Sequence, residues 1–177
     1  LKKTESFGWF DGDKLASQIS VYPMQVNLFG TMYSMGGVTG VATYPEYMNH
    51  GLMSNLMKKA LLNMQENHQC VSMLYPYLIP YYRKKGWEIV SDKMTYTIKD
   101  TQLPKHYKVG GMVERVDIDS EDVHRVHDAF TAMRHGALKR NVLEWEEYWR
   151  WEADDVLVAV YSDANEKPTG YLVYYIA

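Results

Sequence analysis

The residues with the clearest chemical potential lie between a predicted strand and a predicted helix, at positions 36–53. Residues 38–43 are β-branched and apolar enough for a buried strand, and Tyr44-Pro45 ends it because proline has no N–H for a strand ladder. A helix then opens at Asn49-His50-Gly51. Its apolar residues follow the spacing of one helical face: Leu52, Met53, Leu56, Met57, Ala60, Leu61 and Met64. A helix that starts after a glycine-containing loop collects free N–H groups and binds anions, phosphate above all.

The bulk composition narrows the class of protein. A length of 177 residues allows one large or two small domains, and 46% apolar residues are ordinary for a globular core. A net charge of −3 gives no general attraction to nucleic acid or to an anionic membrane. The single cysteine, Cys70, excludes an internal disulfide and fits a reducing compartment. With no long apolar run and no visible signal peptide, we expect a cytoplasmic protein.

In the first half of the chain, the turn residues and apolar runs predict antiparallel strands followed by a strand–helix–strand unit. The sequence Asp11-Gly12 supplies the positive φ that a tight turn needs. A helix over 51–66 separates two apolar runs, and this order predicts a parallel pair with a right-handed crossover. The expected strands are residues 7–10, 15–26, roughly 25–33, 38–43 and 70–74.

A short helix over 78–85 should end at Gly86. Its basic last turn, Arg83-Lys84-Lys85, is expected to be a solvated helix end in preference to a contact with phosphate groups. A hairpin of residues 87–90 and 94–98 and a linker near 101–105 should follow. The pattern then restarts with a strand over 112–118, a helix capped by Asp119-Ser120, a helix over 142–152, and strands over 156–161 and 170–176.

Two pieces of this sequence together resemble one protein family. The first is the strand–loop–helix of residues 36–53, and the second is Tyr82-Arg83-Lys84-Lys85-Gly86-Trp87, a Tyr-x-x-x-Gly-aromatic run that ends a short helix one strand later. This order resembles the GNAT (Gcn5-related) N-acetyltransferases, whose acetyl-CoA loop reads Arg/Gln-x-x-Gly-x-Gly/Ala. Residues 37–47 are especially similar to the Eis branch, in which two fused GNAT-like domains precede a sterol-carrier-like domain.

The resemblance implies an α/β (α+β) fold with a mixed, mostly antiparallel sheet flanked by helices. It implies a partial N-terminal GNAT domain at 1–103, a linker at 104–111, and the first part of a second GNAT-like domain at 112–177. The chain would then be a piece of a longer protein. Similar proteins are typically hexamers, so a homo-oligomer is expected.

The resemblance also implies acetyl-CoA as co-substrate and assigns its contacts. The backbone of a strand would bind the pantetheine arm, the loop would bind the pyrophosphate, and the start of the short helix would lie near the thiol. These cofactor-binding residues are, in that order, Val41, Ala42 and Thr43, then Met48, Asn49, His50, Gly51, Leu52 and Met53, then Tyr77 and Leu78. Tyr82 would be the general acid that protonates the leaving thiolate.

The chemistry of acetyl transfer is compatible with these residue types. The reaction needs a polarised carbonyl, an amine that loses a proton and a thiolate that gains one, and a tyrosine O–H can supply that proton. No covalent enzyme intermediate is needed, which fits the absence of a Ser-His-Asp or Cys-His pattern. The Eis branch uses its C-terminal carboxylate as base, and we assign no base in this chain.

The sequence departs from the family at Met48, where arginine or glutamine is usual, and at Met53, which is often small. The loss of a side-chain contact at position 48 favours a second hypothesis, a catalytically degenerate GNAT-like binding or assembly module. A third is an acyltransferase that uses a longer acyl-CoA. The acceptor would be an amine, aminoglycoside-like or lysine-like.

Other motifs give weaker signals. The glycines at 36–40 do not form the Gly-x-Gly-x-x-Gly of a dinucleotide site, and no Gly-Lys-Ser/Thr follows a glycine loop. The histidines show no metal-ligand spacing, so no metal is expected. His124 and His127, together with Asp128 and Glu121, are expected on a solvated helix face. The acidic, tryptophan-rich segment at 144–152 reads as an amphipathic helix in preference to a cleft for a cationic substrate.

Overall fold

The computed structural model describes residues 4–92, 94–103, 105, 110–117, 119–142, 144–146 and 156–176. The chain forms two compact units, Leu1–Val90 and Ser91–Ala177. Among the described residues, no helix is long and apolar enough to cross a membrane.

The first unit is a sheet crossed by one long helix. Its strands are β1 (Glu5–Asp11), β2 (Lys14–Leu28), β3 (Thr31–Thr43) and β4 (Val71–Leu74), and its helices are α1 (Leu52–Glu66) and α2 (Ile79–Arg83). The strands lie in the order β1-β2-β3-β4. The first three pair antiparallel and β3 pairs parallel with β4. The predicted mixed, mostly antiparallel sheet and the strand–helix–strand unit are confirmed.

Strands β2 and β3 form one long hairpin, so the separate strand predicted over 25–33 is wrong. Their pairing runs from Ser17 opposite Thr43 to Leu28 opposite Thr31. The turn is Phe29-Gly30, with φ angles of 51° and 85°. The buried Asn27 stabilises it, since its Oδ1 accepts a hydrogen bond from the N–H of Gly30 at 2.8 Å. The turn escaped prediction because phenylalanine rarely adopts positive φ.

The core of this unit lies between the sheet and α1. Apolar side chains from both pack in one cluster: Ile19, Val21, Val38, Met53, Leu56, Met57, Ala60, Met64 and Tyr82. Gly36 of β3 lies directly under the helix, and a Cβ there would fall 2.7 Å from the sulfur of Met64. The glycine therefore lets the C-terminal part of α1 lie close to β3.

The hairpin predicted over 87–98 is wrong. In the described part of this segment, residues 87–92 and 94–99 have no strand structure. Its alternating apolar residues are largely exposed, including Val90, Met94, Tyr96 and Ile98. Alternation alone does not form a hairpin, because two strands without a sheet or helix to cover them are marginally stable.

The second unit is built on a three-stranded antiparallel sheet of order β5-β7-β8. Its elements are β5 (Met112–Val116), α3 (Glu121–Met133), the short β6 (Leu138–Lys139), β7 (Leu157–Ser162) and β8 (Pro168–Tyr174). Ser120 caps α3 as predicted, and its hydroxyl accepts from the N–H of Asp122 at 3.3 Å. Residues 142 and 144–146 are helical, and the rest of the predicted 142–152 helix lies outside the described residues.

The solvated face predicted for His124 and His127 is wrong. The ring of His127 contacts the Leu138 carbonyl oxygen at 3.0 Å and the Tyr171 hydroxyl at 3.2 Å, and burial lowers its pKa. His124 stacks on Trp145, with ring centroids 4.2 Å apart. His127 lies four residues from the fully buried Val123, so the helical period places it on the inner face of α3.

The hairpin turn gives a prediction about stability. Asn27→Ala should lower the free energy of unfolding by about 1 kcal/mol, because the Gly30 N–H at the turn loses its hydrogen bond to the Asn27 side chain. Gln25→Ala, at an exposed position of the same strand, is the matched control and should change it by less than about 0.5 kcal/mol. Urea unfolding of the three proteins measures the difference, and equal midpoints for all three would contradict this role of Asn27.

Candidate active site

Strand β3 runs beyond the end of its parallel partner. The β3–β4 pairing extends from Met35 opposite Val71 to Val38 opposite Leu74, where β4 ends. Strand β3 continues to Thr43, so the β4-facing edge of residues 39–43 extends past the last residue of β4. This difference in where the two strands end leaves a backbone edge of β3 that a ligand can pair with.

A β-bulge lies at the start of this free edge. Ser20 lies opposite Thr39 and Gln18 opposite Ala42, so two residues of β3, Gly40 and Val41, face a single residue of β2. Gly40 has φ 59°, which glycine adopts at little cost. A bulge of this kind bends a strand and increases its twist.

Hydrogen bonds to β2 indicate which backbone groups face the free edge. The Tyr44 N–H donates to the Ala16 carbonyl at 3.0 Å, and the Ala42 carbonyl accepts from the Ser17 hydroxyl at 3.1 Å. Successive peptide groups of a strand point alternately to its two edges. The polar groups of Ala42 are therefore directed to β2, and the N–H groups of Val41 and Thr43 are directed to the free edge.

The loop after β3 leads directly to the start of α1. It begins with a 3₁₀ turn over Pro45–Tyr47, held by a 2.9 Å hydrogen bond from the Tyr47 hydroxyl to Asp11. Met48, Asn49 and His50 are exposed, whereas the side chain of Met53 is in the core.

The first turn of α1 has the features of an anion site. Gly51 is the N-cap residue with φ 77°, and it has no side chain to cap the helix. The turn that follows contains no acidic residue. Its N–H groups and the positive end of the helix dipole are therefore available to an anion.

Tyr82 is fixed at the end of α2 by a Schellman motif. The Trp87 N–H donates to the Tyr82 carbonyl and the Gly86 N–H to the Arg83 carbonyl, both at 3.2 Å, and Gly86 has φ 101°. The indole N–H of Trp87 also donates to the Ser72 hydroxyl of β4 at 3.1 Å. These bonds tie the helix end to the sheet, so Tyr82 has a defined position.

The Tyr82 ring packs against the cluster that contains Val38 and Met53, and it is 7% exposed. Val41 packs against the same cluster, so the Tyr82 ring, the free edge of β3 and the start of α1 all border one apolar cluster. Burial raises the pKa of Tyr82 above the ordinary value for a phenol, with a smaller contribution from Tyr81. The Tyr82 phenol is therefore neutral at neutral pH. Tyr77 and Leu78, at the entrance to α2, are exposed.

The basic turn at the end of α2 is more organised than a solvated helix end. The Arg83 guanidinium donates twice to the Glu88 carboxylate, at 2.7 and 2.5 Å. The Lys85 ammonium donates to the Ser54 hydroxyl in the first turn of α1, at 2.5 Å. Sequence reasoning missed both contacts because neither follows a helical spacing.

The described residues contain no cluster of three or more histidine, cysteine or acidic side chains that could hold a metal ion.

Comparison with known proteins identifies the family. Residues 1–90 match the family model of the acetyltransferase (GNAT) domain. The match covers half of the chain, and the chain belongs to the GNAT acetyltransferase family, whose members typically use acetyl-CoA. A search of curated proteins found no match.

Solved structures support the same fold. A conserved protein of unknown function from Enterococcus faecalis, described as a probable N-acyltransferase, shares 30% identity over 98% of this chain with a TM-score of 0.85. A GCN5-related N-acetyltransferase from Anabaena variabilis shares the fold, with 22% identity over 93% of this chain and a TM-score of 0.75. Eis1 from Mycobacterium abscessus also shares it, with 19% identity over 96% of this chain and a TM-score of 0.78. The matches cover 45%, 42% and 44% of those three chains, so this chain spans less than half of their length.

The Arg83–Glu88 ion pair leads to a prediction about the pKa of the Glu88 carboxyl group. Arg83, with a further contribution from the Ile89 N–H, lowers the pKa of Glu88 to about 2. The carboxylate should therefore stay ionised, and the pair intact, until the pH falls to about that value. In Arg83→Gln the pKa of Glu88 should rise by about one unit or more. NMR titration of the Glu88 side chain measures it, with Lys84→Gln as the control that removes a neighbouring charge, and equal pKa values in all three proteins would exclude the pair in solution.

Proposed function

We propose that this chain carries the acetyl-CoA site of an N-acetyltransferase that transfers an acetyl group to an amine by direct attack. The observation that carries the proposal is the juxtaposition, in one unit, of the free β3 edge, the start of α1 and the buried phenol of Tyr82. Each supports one requirement of the reaction. The edge can bind the pantetheine arm, the helix start can bind phosphate, and the phenol can donate a proton.

The residues present fit this cofactor. In the proposed complex the N–H groups of Val41 and Thr43 pair with the amides of the pantetheine arm. The N–H groups at the start of α1, from Leu52 and Met53, bind the pyrophosphate. Asn49, His50 and Gly51 complete this loop without an acidic side chain that would repel phosphate. When bound, the cofactor supplies an activated acetyl thioester.

The chemistry assigned to the chain's own residues is a proton transfer. The amine attacks the thioester carbonyl, the C–S bond breaks, and the thiolate takes a proton from the Tyr82 hydroxyl. Burial in the core keeps this phenol protonated, and the Schellman motif holds it in place. The amine must also lose a proton, and we assign no base for that step.

The acceptor, the assembly and the location are parts of the same proposal. We propose an Eis-like protein, with the second unit as the first part of another GNAT-like domain. The acceptor would be an aminoglycoside-like or lysine-like amine, in a cytoplasmic homo-oligomer that could be a hexamer. The similarity in fold to the Eis1 structure supports this branch.

Met48 favours one alternative from another class. It stands where the family usually has arginine or glutamine, and its side chain is half exposed in the phosphate-binding loop. Loss of this contact would weaken cofactor binding, as in a degenerate GNAT-like binding or assembly module. A longer acyl group is a narrower alternative, since the Enterococcus faecalis protein is described as a probable N-acyltransferase, a class that includes both acetyl and longer acyl donors.

The proposed role of Tyr82 as general acid predicts how its substitution changes kcat. Tyr82→Phe should lower kcat about 100-fold with little change in the Kd for acetyl-CoA, because only the proton donor is lost. Tyr81→Phe is the matched control, since it keeps the ring that contacts Tyr82 at 5.3 Å. Release of free CoA thiol, with an aminoglycoside and a lysine peptide as acceptors, measures kcat. An unchanged kcat in Tyr82→Phe would remove the acid role.

Cofactor affinity separates the enzyme from the degenerate module. Calorimetric titration with acetyl-CoA should show binding by the unmodified chain, and Met48→Arg should bind about five- to tenfold more tightly through an added charge-assisted hydrogen bond. Met32→Arg, which adds the same charge on the β2–β3 hairpin, should leave the Kd unchanged. No binding at millimolar acetyl-CoA would exclude the proposed enzyme.

A further inference from the structure

Lys85 lies at an unusual place for a cation. Its ammonium donates to the Ser54 hydroxyl at 2.5 Å, and Ser54 is the third residue of α1. Both side chains are half-buried, and the ammonium also lies 5.8 Å from the centre of the Tyr81 ring. The chain therefore directs a lysine from the end of α2 to the first turn of α1.

This placement is electrostatically unfavourable without a counterion. The first turn of a helix is the positive end of its dipole, where acidic side chains are favoured and basic ones are not. The first turn of α1 contains no acidic residue, and among the described residues the recorded ion pairs are Arg83–Glu88 and Arg125–Asp122. The ammonium is held by a neutral hydroxyl and an aromatic ring. The ammonium of Lys85 and the positive end of the α1 dipole therefore meet in the first turn of α1.

The neighbouring basic residues do not share this arrangement. Arg83 donates both of its hydrogen bonds to Glu88. Lys84 is exposed at the C-terminal end of α2. An ammonium has three N–H donors, of which Ser54 takes one, so Lys85 can still donate to an anion.

We propose that Lys85 binds the pyrophosphate of the acyl-CoA at the start of α1, and this inference rests on the proposed function. Lys85 supplies from α2 the side-chain charge that Met48 does not supply from the loop. Ser54 is a positioning residue, because its hydroxyl holds the lysine side chain over the first turn. The site therefore retains a cationic contact although the usual position lacks one.

The test uses three ligands that differ in their phosphates. Lys85→Gln removes the charge and keeps a polar side chain that can reach Ser54. Its Kd should rise about tenfold for acetyl-CoA and for acetyl-dephospho-CoA, and stay unchanged for S-acetylpantetheine, which has no pyrophosphate. Lys84→Gln is the matched control and should bind all three as the unmodified chain does. Lys85→Arg should recover most of the loss.

A second readout is the dependence on salt. The affinity of the unmodified chain for acetyl-CoA should fall more steeply with NaCl concentration than that of Lys85→Gln, because one ionic contact is absent in the variant. A merely structural role for Lys85 would leave the two slopes equal.

Several outcomes would overturn the inference. An unchanged Kd for acetyl-CoA in Lys85→Gln would do so. An equal loss for S-acetylpantetheine would show a structural role, and a loss that disappears with acetyl-dephospho-CoA would move the contact to the 3′-phosphate. If the unmodified chain binds no acetyl-CoA, the proposed function itself fails. Matching thermal unfolding curves confirm that the variants are folded.

Discussion

The first unit depends on one geometric constraint, the difference in length between β3 and its parallel partner β4. Up to Val38 the two strands share a ladder, and beyond it β3 continues without β4 and is paired with β2 only. Within the part paired with β4, Gly36 lets Met64 of α1 contact the sheet. Beyond it, the bulge at Gly40 bends the strand. A continuous ladder would leave no edge for a ligand, and a shorter β3 would not reach the loop that starts α1.

The same side chains build the core and the candidate site. Met53 belongs to the first turn of α1 through its backbone and to the core through its side chain, and Tyr82 packs in that core. This overlap explains the raised pKa of the Tyr82 phenol, because burial disfavours the phenolate, with a smaller contribution from Tyr81. A substitution that loosens the core would therefore also move the Tyr82 phenol, so the stability of the unit and the geometry of the candidate site are coupled.

Sequence patterns predicted the helices and strands of this unit better than the residues at which they begin and end. The apolar face of α1 and the strands on either side of it were visible because their periodicities are strong. The Phe29-Gly30 turn was missed because an aromatic residue at positive φ follows no turn rule, and the 87–98 hairpin was predicted from alternation that has no surface to cover it. For the candidate site, Tyr82 and the α1 start were predicted through a motif, whereas the Lys85–Ser54 contact joins residues 31 positions apart and depends on how two helices pack.

The distribution of charge around α1 follows from this packing. The chain as a whole is weakly acidic, so a phosphate-bearing ligand gains nothing from the net charge. Attraction must come from local groups, and in the first unit these are the helix start and the lysine that α2 places over it. Arg83 contributes less, because its charge is neutralised by Glu88. A cofactor site can therefore lose a charged residue from its loop and keep its electrostatics, provided that a neighbouring helix ends close enough to replace it.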